Sequence, residues 1–137
     1  MKIPGLRSSY ETVGGLVYFG RMLDKIRLHA EGRLPTDYNR GFGFDGRTCR
    51  FLNIQYERLV ARVLEGGTDA EILEWCFKAG RRPGEEEIFV WNAFMTKRGW
   101  RDDISQWLLD QKRARGFEHR DDIQTAFDFH AADETEP

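Results

Sequence analysis

The sequence has few of the features that mark several large classes of protein. It contains only two cysteines, Cys49 and Cys76, which lie far apart and form no C-x-x-C pair. We expect buried, reduced thiols rather than a disulfide framework. No run approaches the roughly 18 apolar residues of a membrane-spanning helix, and residues 1–5 lack the apolar core of a signal peptide. The expectation is a cytoplasmic protein with no membrane partner.

The chain also lacks an excess of charge of one sign. Its formal net charge is -2, with 21 Lys and Arg against 23 Asp and Glu. Proteins that bind duplex DNA usually carry a basic balance. The short connection at 97–102 resembles a helix-turn-helix turn, but the next helix opens with Asp102 and Asp103, whose carboxylates would repel phosphate. We therefore predict no nucleic-acid partner.

What is present predicts a folded helical domain. The chain has 137 residues, which is enough for one domain with its own core. Aromatic residues make up 13% of it, which is too many for a disordered chain. Apolar residues at helical spacing and capping residues predict an all-α, single-domain bundle of five or six short helices over residues 1–132. An acidic, frayed tail is expected at 133–137. The predicted helices start at Gly14, Gln55, Thr68 (with Glu71 as its capping partner), Pro83, Asp102 and Asp121.

The helix after Pro83 is predicted to be the buried centre of the fold. Residues 88–95 leave almost no polar face, which is typical of a helix surrounded by protein. Residues 32–50, in contrast, hold four glycines and no helical period. We predict one long loop there, with a short hairpin around Asp45 and Gly46. Phe42 and Phe44 either plug the core or belong to a loop that closes over a ligand.

The ionisable clusters predict no metal and no cofactor. His29, His119 and His130 do not show the spacing of a zinc site, and we expect solvated or helix-end histidines. The three glutamates at 85–87 fall in the first turn of a helix, where they offset its dipole and pair with the arginines just before them. Asn92 is expected to tie the backbone of a loop, with ligand contact as the alternative.

The start of the first predicted helix is a candidate site for an anion. This helix has no carboxylate in its first turn, and the two glycines there let another group approach the backbone closely. The alternative is that the glycines allow tight packing and that Thr12 caps the helix. The candidate ligand-binding residues are Arg7, Ser8, Ser9, Gly14, Gly15, Arg21, Arg40, Arg47 and Asn92.

Several stretches of the chain resemble a known family. They are Gly14-Gly15-Leu16, the run YFGRMLDKIR at 18–27, Glu74-Trp75-Cys76, and the segment from Arg81 to Asp102. Together they resemble an uncharacterised bacterial family catalogued as domain of unknown function 5069 (DUF5069). The resemblance covers nearly the whole chain and implies a small stand-alone bacterial protein. It transfers no catalytic residue.

Three classes of function therefore stay open. The favoured class is a binding module for a small anionic ligand or a protein partner. The second is an enzyme whose catalytic groups converge only in the fold. Its available polar set is Asp24, His29, Asp37, Asp45 and the arginines around them. The third is a homodimeric interaction protein that buries surplus aromatic residues. Binding is preferred to catalysis because no catalytic motif is present.

Overall fold

The structure is a computed structural model that describes residues 1–135. It is mostly helical, with one small antiparallel sheet, so the strictly all-α prediction is wrong. Residues 136 and 137, the end of the predicted tail, lie outside the described residues. The elements in chain order are β1 Thr12–Val13, β2 Leu16–Val17, α1 Phe19–Ala30, α2 Phe44–Leu52, α3 Tyr56–Leu64, α4 Asp69–Ala79, α5 Glu85–Lys97, α6 Ser105–Ala114 and α7 Ala126–Thr135.

Gly14 and Gly15 form the turn of a β-hairpin and do not begin a helix. Their φ angles are 56° and 83°, values that suit a two-residue hairpin turn and are incompatible with a right-handed helix. The turn pairs Thr12 with Val17. The prediction that the first helix starts at Gly14 is therefore wrong, and α1 begins five residues later at Phe19.

The central helix is α1. Nine of its 12 residues are buried, including the polar side chains of Arg21, Asp24 and Lys25. The prediction that the helix after Pro83 is the buried centre is wrong, because only Trp91 and Met95 of the 13 residues of α5 are buried. An apolar composition all round a helix does not distinguish a core position from a surface that another molecule covers.

Residues 44–52, predicted as part of a loop with a hairpin, form α2. The side chain of Asp45 turns inward in its first turn and is fully buried. Phe44 packs against Tyr18 and Phe127, whereas Phe42 is 77% exposed. The core-plug interpretation therefore holds for Phe44 and fails for Phe42.

Other local predictions agree with the structure. Thr68 and Glu71 form the predicted capping box at the start of α4, and Cys49 and Cys76 are buried free thiols. Burial raises the pKa of each thiol to about 12. Among residues 1–135, no helix has the length and apolar character needed to cross a bilayer.

The last helix starts later and ends later than predicted. α7 begins at Ala126, after Thr125, whose hydroxyl accepts a hydrogen bond from the backbone N–H of Asp128 at 3.1 Å. The helix continues past residue 132, where the sequence predicts the domain to end. Residues 133–135 belong to α7.

The buried apolar residues form two clusters. The larger surrounds α1 and includes Phe19, Leu23 and Met95. The smaller lies between α6 and α7 and consists of Leu108, Ile123, Phe129 and Ala132, with Phe117 packed against it. The walls of the candidate site are formed by helices that contribute residues to these two clusters.

Candidate ligand-binding cavity

A cavity of about 650 Å³ is bounded by α1, the segment before α2, α2 itself, α6 and α7. Its volume lies within the range of small-molecule sites. It is amphipathic, since guanidinium groups and aromatic rings share its surface. Its lining residues are Tyr18, Arg21, Lys25, Asp37, Tyr38, Asn39, Gly43, Phe44, Arg47, Arg50, Arg98, Ile104, Trp107, Gln111, Arg115, Phe129, His130, Asp133 and Glu134.

Arg21 and Glu134 form a bidentate ion pair at the cavity wall. Two guanidinium nitrogens of Arg21 donate to the two carboxylate oxygens of Glu134 at 2.7 and 2.6 Å. The phenol of Tyr38 donates to the same carboxylate at 2.9 Å. Burial, followed by the charge of Glu134, raises the pKa of Tyr38. The charge of Arg21 is thus largely neutralised within the protein.

A second buried ion pair joins α1 to α2. The Lys25 ammonium lies 2.9 Å from a carboxylate oxygen of Asp45 and donates to the backbone oxygen of Asn39 at 2.7 Å. Asp45 also accepts from the phenol of Tyr18 at 2.7 Å. Burial lowers the pKa of Lys25, and the nearby Asp45 opposes that shift. These bonds hold residues 39–45 against α1.

Tyr18 has an unusual backbone at this position. Its φ is 70°, a left-handed value that is uncommon for a bulky residue and persists only where the surroundings impose it. The backbone N–H of Tyr18 donates to the carbonyl of Ser9 at 3.0 Å, and its side chain is fully buried. This geometry turns the chain from β2 into α1 and points the phenol to Asp45.

His130 also lines the cavity, so the expectation of a solvated or helix-end histidine is wrong for this residue. Its Nδ1 lies 2.8 Å from the Ser9 hydroxyl. Burial, then the charges of Arg21 and Lys25, lowers the pKa of His130 well below its ordinary value. The imidazole is therefore neutral near pH 7 and can exchange a hydrogen bond with a ligand. Ser9 is 1% exposed and does not line the cavity, so it is not an accessible nucleophile.

The other two histidines agree with the expectation. His29 is exposed in the last turn of α1, and His119 is exposed before α7. The glutamates at 85–87 agree in part. Glu87 pairs with Arg81 at 2.7 Å, whereas Arg82 pairs with Glu74 of α4. Among residues 1–135, no group of His, Cys, Asp and Glu side chains could hold a metal ion.

Arg47 and Arg50 differ from the other cations of the cavity. They lie three residues apart on α2, and neither forms a salt bridge to any carboxylate that the structure describes between residues 1 and 135. The Arg47 guanidinium lies 5.1 Å from the centre of the Phe94 ring. Arginines 21, 98 and 115 and Lys25 are each paired with a carboxylate.

Arg98 is paired only in part. One of its terminal nitrogens contacts Asp102 at 3.0 Å and Asp103 at 2.7 Å, and its guanidinium lies 5.3 Å from the same Phe94 ring. Its Nε is buried with no hydrogen-bond partner in the structure. A buried donor without an acceptor is unfavourable and is often satisfied by a water or a ligand.

The opposite wall is apolar. Ile104 and Trp107 of the α6 region face the cavity with Phe129 of α7. Trp107 is 40% exposed and contacts Phe129 edge to face, with ring centroids 6.5 Å apart. An apolar or aromatic group could be buried there while a charged group contacts α2.

The predicted ligand-binding residues do not converge on one place. Arg21 and Arg47 line the cavity. Ser9 does not line it, but its hydroxyl contacts His130, which does. Arg40 lies outside it, near the Tyr56 phenol, whose pKa burial raises to about 12 while Arg40 opposes the shift. Ser8 is in the N-terminal segment, where its hydroxyl accepts from the N–H of Tyr10.

The Arg7 guanidinium belongs to an ion-pair network. It donates to Asp24 at 2.9 and 3.0 Å and to Asp69 at 2.7 Å. Arg27 contacts the same Asp69 at 2.9 Å. These bonds join the N-terminal segment, α1 and α4. The hydrogen bond that Arg7 donates to Asp24, partly opposed by burial, raises the pKa of Arg7.

Asn92 ties the hairpin to α5, as the sequence predicts. Its amide oxygen accepts from the N–H of Val17 at 3.2 Å, and its amide nitrogen donates to the carbonyl of Gly15 at 2.6 Å. Gly14 lies under Leu73, and a Cβ on it would be 2.4 Å from a methyl carbon of that side chain. Gly14 therefore permits tight packing, whereas a Cβ at Gly15 would meet only a methyl carbon of Ile88 at 3.9 Å. No helix N-terminus is available at Gly14 and Gly15.

Sequence reasoning missed Lys25, Arg50, Trp107 and His130 as cavity residues. One available signal was the spacing of Arg47 and Arg50, which share a face only if residues 44–52 are helical. For the other three, the cavity partners lie far along the chain. His130 and Ser9, for instance, are separated by 121 positions.

Fold and cavity together define a small helical protein with an amphipathic, arginine-lined cleft. The chain belongs to the family described as Domain of unknown function (DUF5069), which matches residues 3–136. No curated protein matches the chain. The family description assigns no activity, so the function must be argued from the cavity.

Proposed function

We propose that this protein binds a small organic anion in the cavity, with Arg47 and Arg50 as ligands of the anionic group. The observation that carries the proposal is the contrast between these two arginines and the other cations of the cavity. Those four have carboxylate partners, whereas these two have none among residues 1–135. Guanidinium groups bind carboxylate and phosphate with directed, often bidentate hydrogen bonds.

The charge of the lining supports an anion over a cation. Six lysine or arginine side chains line the cavity, against three carboxylates. Two of those three carboxylates, Asp133 and Glu134, are already paired with Arg115 and Arg21. Arg98 also lines the cavity, and its buried Nε, which has no hydrogen-bond partner among residues 1–135, is a further donor.

The apolar wall supports an organic ligand over an inorganic ion. Ile104 and Trp107 would stay partly exposed around a bare phosphate, whereas an aromatic or aliphatic group would cover them. A carboxylate and a phosphate monoester share the required chemistry. A cytoplasmic location, where such metabolites occur, is part of the proposal.

Binding is favoured over catalysis. The neutral His130 could accept a proton from a ligand, but its described hydrogen-bond partner, Ser9, is buried behind it. The enzyme alternative therefore depends on His130 alone, and the binding proposal depends on several side chains.

The test is a thermal-shift screen of purified protein with a panel of organic anions. The panel contains phenyl phosphate, benzoate and aliphatic dicarboxylates, with inorganic phosphate and uncharged phenol as comparisons. We expect at least one organic anion to raise the melting temperature in a saturable way, more than inorganic phosphate does. Phenol should have little effect because it lacks the charge.

Two variants and one matched control locate the binding site. Arg47→Gln and Arg50→Gln should each weaken the shift, and the double variant should abolish it. Arg58→Gln removes the same charge from an exposed arginine of α3 outside the cavity and should leave the shift intact. A full shift in the double variant would refute the proposal.

A further inference from the structure

The outward face of α5 exposes a contiguous apolar patch. Phe89 is 70% exposed, Val90 57% and Phe94 41%. At about 100° per residue, Phe89 and Val90 project away from the buried Trp91 and Met95, whereas Phe94 lies at the edge of this face, beside Trp91. Monomeric proteins rarely expose such a patch without a partner. None of the three residues lines the cavity, although the Phe94 ring contacts Arg47 and Arg98, which do.

The spacing on this face is that of a coiled-coil seam. Glu86, Val90, Ala93 and Lys97 follow one another at intervals of four, three and four residues, and all four are exposed. This is the alternation of core positions in a heptad. Phe89 and Phe94 flank the seam on its two sides.

The charges at the two ends of the seam are complementary to each other. Glu86 lies in the first turn of α5 and Lys97 in the last. Among residues 1–135, neither forms a salt bridge. An antiparallel copy of the same helix would place each beside its opposite, and it would align the two helix dipoles favourably.

We propose that a second copy of this chain covers the patch, through antiparallel pairing of α5 about a two-fold axis. The axis passes between Trp91 and Asn92 in sequence, so Glu86 faces the partner's Lys97 and Val90 faces the partner's Ala93. Each contact occurs twice, as a two-fold interface requires. The partner's Phe94 would then lie over the shallow groove of about 290 Å³ that Phe51, Val90 and Trp91 line.

The same charges disfavour a lipid surface as the occupant. Helices that lie on membranes carry Lys and Arg around their apolar face. Here the first turn of α5 carries three consecutive glutamates, at 85–87, and Glu86 among them lies in the seam. An anionic headgroup would be repelled there, whereas the basic end of a second α5 would be attracted.

The test is the oligomeric state in solution, measured by sedimentation velocity over a range of concentrations. Wild-type protein should be a concentration-dependent dimer. Glu86→Lys and Lys97→Glu should each weaken dimerisation roughly tenfold or more, because each change places like charges at both ends of the seam. Val90→Asp, which puts a carboxylate in the seam at an exposed position, should abolish the dimer.

Mixing the two charge variants makes the test specific to the antiparallel arrangement. In a heterodimer of Glu86→Lys with Lys97→Glu, both ends of the seam again carry opposite charges. The mixture should therefore recover the dimer that neither variant forms well alone. As a matched control, Glu65→Lys reverses an exposed glutamate at the end of α3 and should dimerise as the wild type does.

Three outcomes would overturn the proposal. They are a wild-type protein that stays monomeric at high concentration, a dimer that Val90→Asp leaves unchanged, and charge variants whose mixture does not recover the dimer. Circular dichroism of each variant checks that the helices are retained. All the substituted side chains are exposed, so folding should not depend on them.

Discussion

At the scale of single residues, the polar groups buried around the cavity decide how the protein responds to pH. His130 is neutral in the folded protein because burial and the charges of Arg21 and Lys25 lower its pKa. In the unfolded chain a histidine has a pKa of about 6.5. As pH falls below that value, the unfolded state takes up a proton that the folded state does not.

Stability should therefore fall as the pH is lowered below about 6.5. The contribution of His130 is complete above its unfolded pKa and decreases by at most about 1.4 kcal/mol per pH unit below it. Urea unfolding between pH 7.5 and pH 5.5 measures this slope. His130→Gln should flatten it, although that variant also changes the bond to Ser9.

His119→Gln is the matched control for this prediction. The His119 side chain is 94% exposed, so its substitution should leave the pH slope as it is in the wild type. An equal slope in His130→Gln and the wild type would mean that other groups cause the acid sensitivity.

The ion pair of Lys25 and Asp45 shows why the cavity has a defined shape. Both side chains are almost completely buried, and a charge left alone at such a position is strongly unfavourable. The Tyr18 phenol and the N–H of Gly41 satisfy the remaining lone pairs of Asp45 at 2.7 and 2.9 Å. The pair holds residues 39–45 in one position against α1. It thereby also positions the start of α2, the helix that carries Arg47 and Arg50.

At the scale of secondary-structure elements, a close crossing of backbones sets the positions of α2 and α4. Gly80 ends α4, and the N–H of Arg81 donates to the carbonyl of Leu52 at 3.0 Å. A Cβ at position 80 would be 1.9 Å from that same carbonyl oxygen. The contact is with backbone, so it cannot be relieved by a side-chain rotation.

Gly80→Ala should therefore destabilise the protein by about 3 kcal/mol or more, since the ends of two helices must separate. Chemical denaturation measures the loss. Gly84→Ala is the control, because its Cβ would meet only a carboxylate oxygen of Glu87 at 3.7 Å. Similar stability of the two variants would contradict the close crossing.

The elements that the sequence predicts well are those with local signals. α3 and α4 have terminating glycines or a capping box within a few residues, and their predicted bounds agree with the structure to within about two residues. The hairpin and α2 were missed because glycines mark turns, helix starts and loops alike. Asp45 and Gly46 suggest a turn locally, but tertiary burial of the Asp45 carboxylate favours the helix.

The error at α5 has a different physical origin. Periodicity measures how apolar a face is, and it does not identify what covers the face. The residues of α5 that contact the core, Trp91 and Met95, are no more apolar than Phe89 and Val90, which face solvent. A surface for a second chain and a face within a core share the same composition.

At the scale of the whole molecule, the site could not be predicted from the sequence because distant segments build it. Tyr38 meets Glu134, 96 positions away, and His130 meets Ser9, 121 positions away. Neither pair has a motif, and each member has an ordinary local interpretation. Arg21 and Arg47 are both predicted ligand-binding residues, Arg21 as part of a site at the start of the first predicted helix, and only the tertiary structure relates them to the cavity.

The two walls of the cavity should also differ in local stability. α1 is surrounded by the larger core, with nine of 12 residues buried, whereas α6 has only Leu108 buried among its 10 residues. Backbone amides in elements with few buried apolar contacts exchange through local opening, and those in the core exchange only on global unfolding. We therefore expect residues 105–114 to exchange well before residues 19–30, as measured by native-state hydrogen exchange with mass spectrometry.

An organic anion that binds between α2 and α6 should slow exchange in α6 in wild-type protein and not in the double Arg47→Gln, Arg50→Gln variant. Equal protection of α1 and α6 without ligand would show that the cavity is rigid, whereas the expected difference means that α6 can move away from α2 and admit a ligand while α1 stays folded.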